Sequence, residues 1–213
     1  MTVSSKVSDQ TTKIIQVAAR LFACQGYHGT STREIARIAE ISENTLFRHF
    51  EHKENLFWAT LRTYLHEFEL RRELRDGIAE CAAPEIVLPL ILAQFVDIAI
   101  LKPELLRLIA IAFIELRWKA EKICYEYLSP IFSSVHGYLS GSIESGRLRA
   151  VDPSLVTAAL ATTVMMHPEF SKLIRDSHRP YSGSSEAIKM YSKFWLEVLS
   201  PPTSVGSSLP TSE

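Results

Sequence analysis

Two short helical segments, each with its own start signal, lie about three residues apart in the stretch "STREIARIAEISENTLFRHF". The first begins with the spacing of a capping box, Ser31 to Glu34, in which the serine accepts from a helical amide and the glutamate reaches back. Ser42 is an N-cap for the second segment. Apolar residues recur at helical spacing in both, with Ile35, Ile38 and Ala39 in the first and Leu46 and Phe50 in the second. Two helices this close cannot be collinear while both bury an apolar face, so the sequence predicts a helix-turn-helix.

The outer side of the second helix has an unusual composition for a solvated surface. With Leu46 and Phe50 directed inward, the i, i+3, i+4 rule places four residues on the opposite side, namely Glu43, Asn44, Phe47 and Arg48. A solvated helix face usually carries Glu, Lys, Gln and Ala, which are strong helix formers. Rings and short hydrogen-bonding groups indicate instead a surface that binds a partner. A helix of about eight residues suits a major groove roughly 12 Å wide.

The rest of the chain also has helical periodicity, and strand signals are nearly absent. Before the motif, apolar residues at three- and four-residue steps predict a helix over 11–26, which Gly26 ends. After it, one long charge-rich helix is expected from His52 to Ala79, and Pro84 favours the start of the next. Further helices are predicted over 84–101, 103–117, 119–145, 153–174 and 185–199.

The stretch "AARLFACQGYHGTSTREIARIAEISENTLFRHFEHKENLF" resembles the TetR family of transcriptional regulators, and the likeness covers about residues 11–65. It consists of a Gly-Tyr at the end of the first helix, Thr-Ser, Ile-Ala, Ser-x-x-Thr-Leu, an aromatic-x-His-Phe and a Lys-Glu. Glu40 stands where the family usually has glycine in the turn. Either Glu40 adopts a left-handed conformation or the turn differs slightly from that of the family. Asn44, Phe47 and His52 also depart from the family pattern.

The resemblance implies an all-α fold with two domains. An N-terminal three-helix DNA-binding domain with a helix-turn-helix would be joined by a long helix to a larger helical domain for ligand binding and dimerisation. We expect a disordered arm at 1–10, the DNA-binding domain at 11–57, the helical domain at 58–199 and a disordered tail rich in Pro and Ser at 200–213.

The resemblance also assigns roles in DNA binding to individual residues. Arg48 can make two hydrogen bonds to guanine, Asn44 can pair with adenine and Glu43 can accept from cytosine. Phe47 can pack on a thymine methyl or on the sugar backbone. Phosphate contacts are expected from Thr30, Ser31, Thr45, His49 and Lys53. Arg33 can reach a phosphate or a groove edge, and the helix N-termini near Ser31 and Ser42 add amide donors. For each of these residues a solvated surface position or a local cap is the alternative.

A few phosphate contacts per subunit give weak binding, so a homodimer that reads a palindromic operator of two half-sites is expected. The last two predicted helices carry apolar stripes that form either the dimer interface or packing within one subunit. Their residues are Ala158, Ala161, Thr162, Met165, Ile188, Tyr191, Trp195 and Val198.

The middle helices supply a candidate sensor for a small apolar or aromatic ligand. Large rings with occasional polar tips are typical of such pockets, although an aromatic stripe is also typical of an ordinary core. The candidate residues are Phe95, Ile98, Phe113, Trp118, Tyr125 and Tyr127. A ligand would act by favouring a dimer in which the distance between the two DNA-binding domains does not match the DNA.

Composition and residue spacing argue against several other functions. Residues 1–64 hold eight Lys and Arg against six Asp and Glu, and the rest of the chain holds fifteen against eighteen, so the basic bias is weak. Three widely spaced cysteines predict reduced thiols, mostly in the core. The separations of His66, His136, His167 and His178 predict no metal site, and we expect no cofactor. The longest uncharged apolar run is too short to span a bilayer, so a cytoplasmic protein is expected.

The sequence therefore predicts a dimeric transcriptional regulator, most simply a repressor that a small molecule releases from its operator. The alternative is an architectural or division-linked DNA-bound factor of the same fold, whose C-terminal domain binds a protein. An all-helical enzyme with an incidental helix-turn-helix is a third hypothesis. No arrangement of Ser, His, Cys or paired carboxylates in the sequence supports catalysis.

Overall fold

The computed structural model describes residues 3–66, 69–171 and 183–201, which form α-helices and no strand. The prediction of an all-α fold is therefore confirmed. The α-helices are α1 Val3–Gly29, α2 Thr32–Ala39, α3 Glu43–Phe50, α4 Lys53–His66, α5 Arg72–Ala79, α6 Pro84–Leu101, α7 Pro103–Glu115, α8 Ala120–Glu144, α9 Pro153–Ser171 and α10 Ser184–Leu199, and a 3₁₀ helix spans Arg117–Lys119.

Helix α1 is longer at its start than predicted and is interrupted where the sequence predicts its end. It begins at Val3, so residues 3–10, predicted as a disordered arm, are helical. At Gly26 the backbone leaves the helical region, with φ 76° and ψ 174°. Because this φ lies in the region that glycine adopts without steric cost, Gly26 ends the regular helix as the sequence predicts. The predicted tail at 200–213 falls, beyond Pro201, outside the described residues.

The prediction of one long helix from His52 to Ala79 is wrong, because α4 ends at His66 and α5 begins only at Arg72. The apolar stripe of α4 includes the fully buried Leu61 and Leu65. Continuing that stripe from Leu65 meets the apolar Phe68 at three residues, but Glu69 at four and Arg72 at seven are charged and exposed. The apolar face of a single continued helix would therefore narrow at this point, and α5 starts a new buried face with Leu74.

The first of two compact units comprises Met1–Arg71 and Phe95–Ser133. In it α1 packs against α2, α4 and α7, and α3 packs against α2 and α4. An aromatic cluster lies at the centre, where the Phe57 ring meets those of Phe22, Tyr27 and Trp58 at centroid distances of 5.2, 5.6 and 5.2 Å. The unit thus contains residues 11–57, predicted as the DNA-binding domain, together with the rest of α4, the end of α6, α7, the 3₁₀ helix and the first part of α8.

The second compact unit comprises Arg72–Gln94 and Ser134–Glu213. Its described core includes Leu88, Leu139, Leu160 and Leu199, each at most 1% exposed. The Tyr138 hydroxyl donates to the carbonyl of Ala82 at 2.8 Å. The amide of Arg149 donates to the carbonyl of Leu199 at 2.9 Å, which fixes the end of α10.

No single helix in the described part of the chain combines the length and the apolar character needed to span a membrane. The bent pair Pro84–Ala99 and Pro103–Glu115 passes that test only when its two members are counted together.

Candidate nucleic-acid interface

The two helices of the helix-turn-helix begin at the serines that the sequence predicts as caps. Ser31 Oγ accepts from the amide of Glu34 at 3.1 Å, and Ser42 Oγ accepts from the amide of Thr45 at 3.1 Å. The Glu34 carboxylate accepts from the side-chain amide of Gln25 at 3.3 Å. Both N-termini lie at the surface, since Ser31 and Ser42 are exposed. Each therefore offers the partial positive charge that favours an anion such as a phosphate.

The turn between the helices takes the first of the two alternatives that the sequence leaves open, because Glu40 is left-handed with φ 60° and ψ 41°. The Glu40 amide donates to the carbonyl of Arg37 at 3.2 Å, and the Ile41 amide donates to the carbonyl of Ala36 at 3.0 Å. These two hydrogen bonds satisfy carbonyl groups of the last turn of α2, as in a helix C-cap. The Glu40 carboxylate pairs with Lys13 of α1. This hydrogen bond from Lys13 is the main reason that the pKa of Glu40 lies below its ordinary value.

Helix α3 presents Asn44, Phe47 and Arg48 together on its outer side. Asn44 and Arg48 are exposed, Phe47 is 38% exposed, and their spacing of i, i+3 and i+4 is that of one helix face. The opposite side holds Leu46 and Phe50, which are buried as predicted. The three candidate base-reading residues thus project from a helix whose inner face is fixed in the core.

The fourth candidate for base reading, Glu43, is engaged within the protein. Its Oε1 accepts from the hydroxyl of Thr32 at 2.6 Å, which joins the first turn of α3 to the first turn of α2. Glu43 is half-buried, whereas Asn44 beside it is exposed. Glu43 therefore differs from the exposed Asn44, Phe47 and Arg48, because its side chain links α3 to α2.

The candidates for phosphate contacts fall into two groups. Ser31 and Arg33 are exposed at the start of α2. Thr30, in contrast, is 1% exposed and its hydroxyl donates to the carbonyl of Gly26 at 2.8 Å. Three further candidates are half-buried and have partners within the protein. Thr45 Oγ1 lies 2.8 Å from Ser42 Oγ, and His49 Nδ1 lies 3.3 Å from Thr11 Oγ1. Lys53 is bound to the backbone of residues 27–30, which precede α2.

Lys53 holds residues 27–30 through the backbone of that segment. Its Nζ donates to the carbonyls of Tyr27 at 2.9 Å and Thr30 at 3.0 Å, and it lies 4.3 Å from the centroid of the Tyr27 ring. Residues 27–29 belong to α1 after the kink at Gly26, so these contacts join the end of α1 to the start of α4. Lys53 is half-buried, so its ammonium group is at once a structural support and a charge close to the start of α2.

Sequence reasoning missed Arg37 as a candidate contact and misplaced Ile38. Ile38 is 38% exposed, whereas Ala36, which the sequence analysis did not assign to the core, is 3% exposed. Ile38 thus does not belong to the buried stripe of α2, which Ile35, Ala36 and Ala39 complete. Arg37 is exposed one helical turn after Arg33. The i, i+4 spacing of these two arginines was the available signal, and it puts two cations on one face of α2.

The ligand candidates are divided between core and surface within the first unit. Phe95 and Ile98 are 1% and 4% exposed, and the Phe95 ring lies 5.8 Å from that of Phe132. Phe113 is 44% exposed, Tyr125 is 75% exposed and Tyr127 is half-buried. The side chain of Trp118 lies outside the described part of the structure. These residues therefore do not all face one enclosed space.

The interface candidates on α9 and α10 divide in the same way within the second unit. Ala161, Tyr191 and Trp195 are buried, Met165 and Ile188 are half-buried, and Ala158, Thr162 and Val198 are exposed. Three large apolar side chains that the sequence analysis did not select are more exposed still. They are Leu155 at 66%, Phe194 at 52% and Met166 at 48%. Each lies three or four residues from an exposed candidate on the same helix: Leu155 from Ala158, Met166 from Thr162 and Phe194 from Val198.

The prediction of mostly buried cysteines is wrong for two of the three. Cys24 and Cys81 are exposed and Cys124 is buried. Burial raises the pKa of the Cys124 thiol to about 11, so this thiol stays protonated at neutral pH.

At the start of α4, Glu54 is a carboxylate held by two donors. Its Oε1 accepts from Trp58 Nε1 at 2.9 Å and from Lys119 Nζ at 2.8 Å. The hydrogen bond from Lys119 is the largest cause of a pKa below the ordinary value of 4.5, and that from Trp58 is the next. The ionised form of Glu54 therefore stabilises the folded chain.

This depressed pKa predicts an acid-dependent loss of stability. A carboxylate whose folded pKa is lowered stabilises the protein at pH above its unfolded pKa, and that contribution is lost as pH falls through the folded pKa. Urea unfolding measured from pH 6 downwards is expected to show a smaller loss of stability below pH 4.5 in Glu54→Gln than in wild type. Glu121→Gln, a change at an exposed carboxylate, is the control. Equal acid dependence in wild type and Glu54→Gln would contradict the assignment.

Comparisons with known proteins agree on the identity of the N-terminal segment. Residues 14–60 match the family model described as bacterial regulatory proteins, tetR family. The chain is 49% identical over 45 residues to the HTH-type transcriptional regulator QacR of Staphylococcus aureus, which is 21% of this chain and 24% of that protein. The chain thus spans about a quarter of the length of this curated relative.

Two longer similarities reach beyond the motif. The fatty acid metabolism regulator protein of Bacillus subtilis is 26% identical over 144 residues, which is 64% of this chain and 70% of that protein. The crystal structure of AibR in complex with isovaleryl coenzyme A and operator DNA superposes with a TM-score of 0.64 at 19% identity, over 87% of this chain and 97% of AibR. The second similarity concerns the fold alone.

Proposed function

We propose that this chain, whose residues 14–60 match the family model described as bacterial regulatory proteins, tetR family, is a dimeric, cytoplasmic transcriptional regulator of that family. In this proposal it represses transcription from a palindromic operator and leaves that operator when a small molecule binds. The single observation that carries the proposal is the exposed face of α3, on which Asn44, Phe47 and Arg48 stand together.

Each residue of that face has a chemistry that suits a base edge in the major groove. The Arg48 guanidinium can donate two parallel hydrogen bonds to O6 and N7 of guanine. The Asn44 amide can donate to N7 and accept from the amino group of adenine. The Phe47 ring can cover a thymine methyl. We assign sequence reading to these three residues and the geometry of the motif to Glu43.

Phosphate contacts position such a helix without reading sequence. The surface-exposed N-termini of α2 and α3, with Ser31 and Ser42 as caps, offer amide groups for this purpose. Arg33 and Arg37 add two charges along α2. Thr45 and His49 flank the reading face on α3 and are half-buried, so their contacts to DNA would be made by atoms at its rim.

Dimerisation is proposed through the exposed apolar side of α9 and α10. Leu155 and Met166 on α9 and Phe194 and Val198 on α10 are each at least 37% exposed. Ala158 and Thr162 lie between them and are small enough to let two helices approach closely. Covering this surface with a second copy removes apolar area from water, which drives association. Ala161, Tyr191 and Trp195 belong to the core of each subunit and support the interface from within.

A dimer interface of this kind predicts that Phe194→Ser weakens self-association. Burial of a Phe side chain is worth roughly 1.5–3 kcal/mol, and Phe194 occurs twice in a symmetric dimer. We expect the dimer dissociation constant, measured by sedimentation, to rise at least tenfold. Ile86→Ser removes a side chain of similar exposure from α6, at 57%, and is expected to leave the constant unchanged. If the two variants dissociate equally, this surface is not the interface.

The proposed effector is a small molecule with an apolar or aromatic part. AibR, a protein of similar fold, was crystallised in complex with isovaleryl coenzyme A and operator DNA, so a protein of this fold can bind both kinds of partner. Phe95, Ile98 and Tyr127 are the candidates that are buried or half-buried. A ligand acts on DNA binding only through a difference in its affinity for the two states of the dimer.

Selection of bound fragments from the source genome tests this function. Purified protein is mixed with sheared DNA at 50 and 200 mM salt, and the retained fragments are sequenced. We expect a few palindromic fragments to survive the higher salt. Retention that is indifferent to sequence and falls steeply with salt would contradict the proposal and favour an architectural factor. Genes adjacent to the retained fragments then indicate the effector class.

A further inference from the structure

Residues 27–30, the segment between the kink at Gly26 and the cap of α2, are held from α7, and residues 27–29 are the end of α1. The Glu115 carboxylate, on the last residue of α7, accepts from the amide of Tyr27 at 3.3 Å through Oε1 and from that of His28 at 3.1 Å through Oε2. Two adjacent amides that point at one carboxylate form a charge-assisted clamp. The Glu115 side chain is 22% exposed, so the clamp is partly shielded from water.

The local geometry allows no other residue at the kink without movement. A Cβ added to Gly26 would lie 3.0 Å from Glu115 Oε1, and Gly26 has a positive φ of 76°. The close approach of α7 and the backbone conformation at the kink thus depend on each other.

The same segment is also held from α4. Lys53 Nζ binds the carbonyls of Tyr27 and Thr30, so this segment has two amides on an anion and two carbonyls on a cation. The neighbouring carboxylate of Glu54 is bound by Lys119, four residues after Glu115. These polar contacts, together with the backbone from Lys53 to Glu54 and from Glu115 to Lys119, close a ring.

We propose that Glu115 is a positioning residue for DNA binding. It holds the end of α1, which leads directly into Ser31 and α2, and α2 in turn holds α3 through the contact between Thr32 and Glu43. A displacement of Glu115 moves the cap of α2 and with it the reading face. Because α7 belongs to the same compact unit as the motif, Glu115 links operator affinity to the arrangement of the segment from Phe95 to Ser133. This inference rests on the proposed function.

The role of Glu115 is tested with Glu115→Gln and Glu115→Ala in the full chain. Gln keeps one acceptor and loses the charge, and Ala removes both acceptors. Hydrogen exchange of the Tyr27 and His28 amides, measured by mass spectrometry without DNA, is expected to accelerate about tenfold or more in Ala and less in Gln. The dissociation constant for a selected fragment is expected to rise in the same order, up to about tenfold. Melting temperatures are measured alongside.

Two controls separate positioning from general damage. Glu121→Gln changes an exposed carboxylate on α8 and is expected to alter neither exchange nor affinity. His28→Ala removes the imidazole that lies 3.9 Å from Glu115 but keeps the backbone amide, so it is expected to retain wild-type affinity. A loss in His28→Ala equal to that in Glu115→Ala would overturn the backbone clamp.

The outcomes for the clamp and for the proposed function can be told apart. Unchanged exchange in Glu115→Ala overturns the clamp, whatever the DNA result. Accelerated exchange with unchanged affinity, or a loss of affinity that merely follows a lower melting temperature, overturns the positioning role. If wild-type protein selects no fragment at all, the proposed function fails and the DNA role of Glu115 fails with it.

Discussion

Replacing Arg48 by alanine is expected to lower the affinity of the dimer for its operator by on the order of 30-fold to 10⁴-fold. One bidentate contact between an arginine and guanine contributes about 1–3 kcal/mol of discrimination, and the dimer makes the contact twice. Arg48 is exposed on a face whose opposite side, Leu46 and Phe50, is buried, so the substitution removes a contact without opening the core. Fluorescence anisotropy with a selected fragment measures the loss.

Comparing the loss of affinity for the selected fragment with the loss for random DNA distinguishes base contacts of Arg48 from the effect of its charge alone. Arg48→Ala is expected to weaken binding to the selected fragment far more than binding to random DNA, because base contacts carry the sequence information. Arg107→Ala removes one exposed positive charge from α7 and is the control. If both variants weaken binding to both DNAs by the same small factor, Arg48 contributes only charge and the assignment is wrong.

Replacing Phe57 by alanine is expected to lower the free energy of unfolding of the first compact unit by about 3–5 kcal/mol, a typical loss for a buried phenylalanine. Phe57 is fully buried, and its ring contacts those of Phe22, Tyr27 and Trp58 in edge-to-face geometry. The loss combines the burial of the ring, the cavity left behind and these aromatic contacts. Since the total stability of a domain is typically about 5–15 kcal/mol, the loss is between about a fifth and the whole of it.

Chemical denaturation followed by tryptophan fluorescence measures the effect, since Trp58 lies against Phe57. Phe113→Ala is the matched control, because Phe113 is 44% exposed on α7 and its removal is expected to cost under about 1 kcal/mol. A loss in Phe57→Ala no larger than in Phe113→Ala would show that the aromatic cluster does not hold this unit together.

The helix-turn-helix was predictable from sequence because its determinants are local. Caps at Ser31 and Ser42 and the apolar spacing of each helix act within one or two turns, so they can be read from adjacent residues. The left-handed Glu40 was predictable as one of two alternatives only through the family resemblance, because it stands where the family usually has glycine in the turn.

The contacts made by Glu43 and Lys53 were not predictable from the sequence. Whether a carboxylate on a helix start accepts from a base or from a nearby threonine depends on the angle between two helices. That angle is set by packing distant in sequence. Lys53 likewise binds the carbonyls of Tyr27 and Thr30, more than twenty residues before it.

The association of α7 with the motif was outside the reach of the sequence. Glu115 lies 88 residues after Tyr27, and no local sequence pattern relates a glutamate at the end of one helix to the end of another helix so far back in the chain. The break between α4 and α5 could have been found, because Glu69 and Arg72 stand at positions where a continuing helix needs apolar residues. The helical periodicity on either side of the break is strong enough that the two segments look like one continuous helix in the sequence.

The central claim is that two copies of α3 read two related half-sites, and hydroxyl-radical footprinting on a selected fragment tests it most directly. We expect two symmetric clusters of protection whose centres are one helical turn or a multiple of it apart, about 34–36 Å per turn. In the same experiment Arg48→Ala should lose both clusters together. A single cluster, or continuous protection that wild type and Arg48→Ala share, would contradict the account.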